Sequence, residues 1–516
     1  MDLTILHTND VHARFLEINR FGGACRPEKS EAGECFGGAA RRATQIAAER
    51  DAAAAAGRTA LLVDGGDQFQ GTLFYGRYRG QAAAKVMNTL RYDAMVVGNH
   101  EFDDGPGVLG DFADVLDFPL LGTNVDTTNE PLLDGKLTDS VILERDGHRI
   151  GLVGYITEET PDLASPGPNL EFVTVEDALR AEIAKLEDQG IDIIIALSHA
   201  GFQRDRAVAR QVAGVDIVVG GHTNTYLDND TEDADGVYPT VEEGADGNPA
   251  LVVTSFAWGK YLGKLNVTFE DGRATSWDGG PILLNAQVAE DGAMADLVAP
   301  WAVEVAEFSA QEIGSAAVDL EGREELCRFG ECNLGNLIAD ALLEHGRRQG
   351  VQIALQNGGG IRSSISKGPI SIGQFLEVMP FGNTASTFRL KGSDLMNTLE
   401  HAVSRADDPD NDGTGRFLQV AGLRYAWTPN QAPGERIEWA KLVLEGGAEE
   451  DIDLDREYKI IFNAFNRNGG DGFAILRDQA IEPYDQGQVV SDIVIDFIRR
   501  NSPVAPGLDG RIVKVP

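Results

Sequence analysis

Basic residues are scarce in this chain. Lysine and arginine number 44 against 82 aspartates and glutamates, a formal net charge of −38. So acidic a chain lacks the basic face that a phosphate backbone demands, which argues against nucleic acid or an anionic bilayer as partner. An anionic substrate would need metal ions or arginines to reverse the sign locally. Long apolar runs are also missing, so no segment reads as a membrane span. Met1-Asp2-Leu3 leads straight into a strand without a signal peptide. The expectation is a cytosolic protein or a sequence that begins after a removed leader. Cysteine is rare, with Cys25, Cys35, Cys327 and Cys332 the whole complement. Four cysteines permit three pairings. These fall as two close pairs without metal-finger spacing. Local disulfides, Cys25 to Cys35 and Cys327 to Cys332, are the favoured use and point to the periplasm or the cell exterior. Four free thiols in a cytosolic protein is the competing reading.

With 516 residues, 42% of them hydrophobic, the chain suffices for two or three soluble domains. In the first half, short apolar runs alternate with helical segments such as 175–189, the pattern of βαβ units. Each run ends in donors. Thr4-Ile5-Leu6 precedes Asp10 and His12, Ala60-Leu61-Leu62-Val63 precedes Asp67, and Ala94-Met95-Val96-Val97 precedes Gly98-Asn99-His100-Glu101-Phe102-Asp103. Residues 191–197 lead to His199, and Val215-Asp216-Ile217-Val218-Val219 leads to Gly221-His222-Thr223-Asn224. In open α/β sheets, ligands bind at the carboxyl ends of strands. Carboxylate, imidazole and amide oxygen together suit zinc, manganese, iron or cobalt, and Asp67 is placed to bridge two ions. Four of the eight histidines fall at these ends; His7, His148, His345 and His401 lack such partners and read as structural or surface residues.

Asp10-Val11-His12, Gly66-Asp67, Gly98-Asn99-His100-Glu101, His199 and Gly221-His222-Thr223-Asn224 resemble the motif set of calcineurin-type dinuclear metallophosphoesterases. Within these, the chain resembles the 5′-nucleotidase family, which includes bacterial UDP-sugar hydrolases and animal ecto-5′-nucleotidase. The resemblance implies an α/β protein: an N-terminal metallophosphoesterase β-sandwich with flanking helices, a linker helix, and a C-terminal α/β substrate-binding domain. It places one divalent ion on Asp10, His12 and Asp67, and a second on Asp67, Asn99, His199 and His222. Zinc is the implied metal, with manganese, cobalt or magnesium as alternatives. Asn224 stands where some relatives have a glutamine or histidine that reaches a metal. His100 matches the catalytic histidine and Asp103 the carboxylate that orients it. A helix N-cap is the competing role for Asp103, because Gly105 and Pro106 follow.

Residues 293–311 have helical spacing around Pro300. The expected division is a metal-binding domain over 1–292, a linker helix over 293–312 and a nucleotide-binding domain over 313–516. Gly279-Gly280-Pro281 is expected to close the first domain's last strands. In the second half, a helix over 334–347 and a strand over 351–355 precede Gln356-Asn357-Gly358-Gly359-Gly360-Ile361-Arg362, and glycine clusters recur around Phe381 and from Phe465 to Phe473. Glycines beside single arginines and phenylalanines suggest close backbone approach to a ligand. By the resemblance, Arg328 and Arg362 clamp phosphate and ribose, Asn357 contacts the base, Asp471 accepts from ribose hydroxyls, and Phe381 and Phe465 sandwich the base. Ordinary core packing is the alternative for each phenylalanine. Gly330 departs from the family pattern, which has a second basic residue there. Asp408 to Gly413 resembles the start of a calcium loop whose twelfth position is Gln419 rather than glutamate. The implied activity is hydrolysis of nucleoside 5′-monophosphates. UDP-sugars or 2′,3′-cyclic nucleotides are the near alternatives, and a non-catalytic nucleotide-binding surface protein the distant one.

Overall fold

Parallel strands in a two-sheet sandwich bring every one of those donor-bearing turns to the same ends of the sheets. The computed structural model describes residues 1–516 apart from 21, 26, 146, 407–413, 445 and 486, and divides into two units, Met1–Val303 and Glu304–Pro516. The calcium-loop candidate Asp408 to Gly413 lies outside the described residues.

The first unit holds a seven-stranded and a six-stranded sheet. Asp2–Thr8, Thr59–Asp64, Ala94–Val96, Leu120–Leu121 and Leu137–Thr138 run parallel, and Tyr261–Glu270 with Arg273–Leu283 closes one side antiparallel. In the second sheet His148–Ile156, Ile194–His199, Ile217–Val219 and Pro249–Val253 are parallel, edged antiparallel by Ser140–Arg145 and Thr240–Glu243. The strands read as unbroken apolar runs because both faces are covered. Leu3, Ile5, Leu61, Val63 and Val96 of one sheet share a core with Leu152, Ala196, Val218 and Val252 of the other. Gly279-Gly280-Pro281 does not close the unit's strands. It lies inside Arg273–Leu283, where Gly279 pairs with Leu265.

A helix follows over Gly292–Ser309, with Pro300 inside it. In the second unit, helix Asn333–Gly346 packs Leu334, Ile338 and Ala341 into a core with Ala354, Ala421 and Ile461. Its five-stranded sheet runs in the order Leu418–Ala421, Ile353–Asn357, Glu457–Asn463, Ala385–Lys391, Ile481–Tyr484. Ile353–Asn357 and Glu457–Asn463 are parallel neighbours, so Asn357 and Asn463 emerge side by side. No described helix is long and apolar enough to cross a membrane. Both local disulfides are present, Cys25 to Cys35 and Cys327 to Cys332.

Candidate active site

In the first unit the strand-end side chains converge on one carboxylate. Asp67 Oδ2 lies 3.2 Å from His199 Nε2, 3.9 Å from His12 Nε2 and 3.9 Å from His100 Nε2. Asp10 joins on the other side, its Oδ1 3.9 Å from His12 Nε2. Ligand atoms of Asp10, Asp67 and His199 form one group within 4.8 Å, and those of His12, Asp67 and His100 another. Asp67 belongs to both. Asn99 enters through His222, whose Nδ1 is 3.0 Å from its Oδ1, while the His222 amide donates to Asp10 Oδ2. Asn224 follows two residues on, with its Oδ1 buried and lacking a hydrogen-bond partner among the described residues.

The residues fit divalent cations. His12 Nδ1 donates to the Phe69 carbonyl at 2.8 Å and His199 Nδ1 to the Gly65 carbonyl at 2.6 Å. Each bond sets the tautomer that leaves Nε2 as a lone-pair donor facing the cluster, the arrangement that ligating histidines use. His199 Nε2 is fully buried and makes no hydrogen bond of proper geometry among the described residues. Burial pushes His222 down to about 3 and His12 well below the usual histidine range, so both present neutral imidazoles. Burial lifts Asp10 to about 6. It would lift Asp67 too, but the facing imidazoles, His199 foremost, outweigh it and hold that carboxylate well below its usual range. Burial alone would lower His199, but Asp67 draws it up to about 10, so a cation binding at Nε2 takes the place of a proton.

Backbone geometry carries the same signature. Asp10, His12, Asp67, His222 and Asn224 all have positive φ, between 49° and 77°. Non-glycine residues adopt this region at a cost and cluster there at functional sites. Glycine gives access: a Cβ on Gly98 would lie 2.2 Å from Asp67 Oδ1.

His100 stands between these donors and Asp103, with Nδ1 2.7 Å from Asp103 Oδ2. The N-cap of the following helix is Asp104, not Asp103, so the capping alternative is overturned.

Glu101 belongs to the motif but had no assigned role. Its carboxylate accepts the backbone N–H groups of Asp67, Gln68, Phe69 and Gly98, at 2.7–3.0 Å. It thereby clamps the Asp67 turn to the His100 turn. Asn9 holds Asp10 in a similar way, its Nδ2 2.8 Å from Asp10 Oδ2 and its Oδ1 accepting from the Ser255 amide. Burial alone was the missing signal for Glu101, since carboxylates are almost never fully buried without partners.

In the second unit Asn357 Nδ2 donates to Asp471 Oδ2 at 2.7 Å, and Asn466 Nδ2 to the same oxygen at 2.8 Å. Asn463 Nδ2 supports both, donating to Asn357 Oδ1 and Asn466 Oδ1. His401, read from sequence as structural or surface, donates from Nε2 to the Asp471 carbonyl at 2.9 Å. Burial raises Asp471, against the charges of Arg416 and Arg328. Arg328 and Arg362 both act on Glu324; Arg328 Nη2 is 2.5 Å from its Oε1. Arg362 lies over the Phe381 ring at 5.9 Å. Phe465 packs where a Cβ on Gly470 would stand, 2.5 Å away. Phe381 is half-buried, unlike core residues such as Phe462 and Phe473, and so is Phe465.

A buried cluster of carboxylates and imidazoles at the strand ends of an α/β sandwich, with a histidine–aspartate pair beside it, defines a metal-dependent phosphoesterase. Residues 3–226 match the calcineurin-like phosphoesterase family, and residues 312–478 match the 5′-nucleotidase C-terminal domain. The chain is 39% identical over 535 residues to the snake venom 5′-nucleotidase of Naja atra, covering 99% of this chain and 98% of that one. It is 37% identical over 533 residues to the 5′-nucleotidase of Homo sapiens, covering 99% and 90%. The crystal structure of a 5′-nucleotidase precursor from Thermus thermophilus superposes with a TM-score of 0.91 at 38% identity, covering 100% of this chain and 99% of that one. The chain belongs to the 5′-nucleotidase family.

Proposed function

We propose that the protein hydrolyses nucleoside 5′-monophosphates to nucleoside and phosphate, using two divalent metal ions. The convergence of Asp10, His12, His100 and His199 on Asp67 carries this reading. Asp10, His12 and Asp67 would hold one ion, and Asp67, Asn99, His199 and His222 the other, with Asn224 presenting its amide oxygen nearby. Imidazole with carboxylate favours zinc. Bound there, the ions supply positive charge to the phosphoryl oxygens and lower the pKa of the attacking water. The protein's own part is positional: Glu101 and Asn9 fix the donors, and Asp103 holds the His100 ring with Nε2 turned toward the reaction centre. The relatives' names and the second unit's residues support a nucleotide as substrate. Arg328 and Arg362 offset the acidic surface for the phosphate and ribose, Asp471 accepts from ribose hydroxyls, Asn357 contacts the base, and Phe381 and Phe465 stack on it. Two disulfides favour a periplasmic or secreted location.

Phosphate release from a nucleotide panel tests this. After EDTA treatment, AMP hydrolysis should vanish and return with zinc, manganese or cobalt. Faster turnover of a UDP-sugar or a 2′,3′-cyclic nucleotide would reassign the substrate, and no turnover of any would leave only a binding role.

The aromatic pair gives a second expectation. Stacking is worth about 1–3 kcal/mol per base and tolerates any base. Phe381→Ala or Phe465→Ala should therefore lower kcat/KM for AMP by roughly 5- to 150-fold. p-Nitrophenyl phosphate, which has no base, should be much less affected. Equal losses on both substrates with a lowered melting temperature would return these residues to a packing role.

A further inference from the structure

Gln419 is the residue at which the calcium-loop pattern breaks, and the structure gives its side chain a different set of partners. It is fully buried on strand Leu418–Ala421, opposite Gln356. Its Nε2 donates to the Cys327 carbonyl at 2.9 Å and the Gly330 carbonyl at 2.7 Å. Its Oε1 accepts from the Cys332 amide at 3.1 Å. All three partners are backbone groups of the loop that the Cys327–Cys332 disulfide closes. The two carbonyls and one amide also settle which end of the side chain is oxygen and which is nitrogen. Space for it is reserved: a Cβ on Gly335 would lie 2.4 Å from Gln419 Cγ. Arg328 sits in this loop directly after Cys327. On its other side Gly358 closes on it, where a Cβ would meet the Cys327 carbonyl at 2.6 Å and Arg328 Cγ at 3.2 Å.

We propose that Gln419 is a positioning residue for substrate binding, and that it and the Cys327–Cys332 disulfide are two overlapping tethers of the Arg328 loop. The inference rests on the reading that Arg328 binds the substrate's anionic group. The disulfide joins the loop's two ends to each other and makes no link to the sheet. The amide holds both ends and Gly330, and ties them to the strand. Breaking the disulfide therefore leaves the ends still pinned by Gln419. Removing the amide leaves a closed ring no longer anchored to the strand. Only the loss of both leaves Arg328 held by nothing more than its own short helical turn and its Glu324 partner.

The test measures KM and kcat for AMP, with thermal melts, in four forms: wild type, Gln419→Met, Cys327→Ser with Cys332→Ser, and the combination. Methionine keeps the length and lack of branching but makes none of the three bonds. Each single tether loss should raise KM by about 2- to 10-fold, the worth of ordinary hydrogen bonds. The combined loss should exceed the product of the two and approach the effect of Arg328→Ala, about 10- to 150-fold. kcat should stay close to wild type throughout. If the combined variant does not fold, reduction of purified Gln419→Met with a non-thiol phosphine, beside wild type reduced in the same way to account for Cys25–Cys35, makes the comparison. A combined effect equal to the product or smaller overturns the two-tether arrangement. So does a fall in melting temperature with KM unchanged, the mark of a purely structural residue. Unchanged KM in Arg328→Ala instead overturns the underlying assignment of Arg328, whatever Gln419 does.

Discussion

His100→Ala should lower kcat for AMP by roughly 100-fold or more while the metal content of the protein stays unchanged. Asp103 takes Nδ1 of the ring at 2.7 Å, and Nε2 lies 3.9 Å from Asp67 Oδ2, at the edge of the donor cluster. A contact at that distance adds little to ground-state cohesion. It is placed for charge that develops on a phosphoryl group or on the departing oxygen, and only interactions stronger in the transition state raise kcat. Because Asp10, His12, Asp67 and His199 remain, alanine at 100 should not empty the site. Elemental analysis beside steady-state kinetics separates the two effects. Near-normal turnover at full metal occupancy would remove His100 from the chemistry.

Asp67→Asn should have the larger effect, with kcat/KM falling on the order of 1,000-fold and bound metal lost. Among the described residues Asp67 is common to both donor groups, and three histidines face its Oδ2. Asparagine preserves size, and it is among the few residues that accept the left-handed φ of 61° found here. The bond from its backbone amide to Glu101 does not involve the substituted side chain and should persist. What disappears is the charge that bridges two cations. A variant with wild-type metal content and turnover would contradict the bridging role.

The strands were legible because their apolar runs are short and end in polar turns, a pattern that buried parallel strands impose. The donors at their ends were legible for the same reason, since a strand end is where a side chain can leave the core without losing its scaffold. The order of strands was not, because parallel neighbours such as Asp2–Thr8 and Thr59–Asp64 differ in no local feature from non-neighbours. Glu101 and Gln419 escaped because both act on backbone groups, and a backbone partner leaves no mark on residue type. The positive φ of Asp10 or His222 is equally invisible, since local propensity would have chosen glycine or asparagine there. Asp103 shows the converse: a plausible local role as a cap gave way to a side-chain partner three residues earlier.

The position of strand Asp2–Thr8 has a consequence for how the protein is made. It sits inside the seven-stranded sheet, between Thr59–Asp64 and Tyr261–Glu270, and the second of these neighbours is synthesised long after it. Thr4 Oγ1 donates to Asn266 Oδ1 across a separation of 262 residues. At about 5–20 residues per second, a ribosome delivers that partner roughly 13–50 s after the strand itself. Through that interval one side of the strand offers unpaired amides and carbonyls, the template on which other chains aggregate. Nascent chains of this protein should thus depend on a holding chaperone until Glu270 has emerged, and truncations ending before it should accumulate as aggregates rather than as a folded metal-binding half.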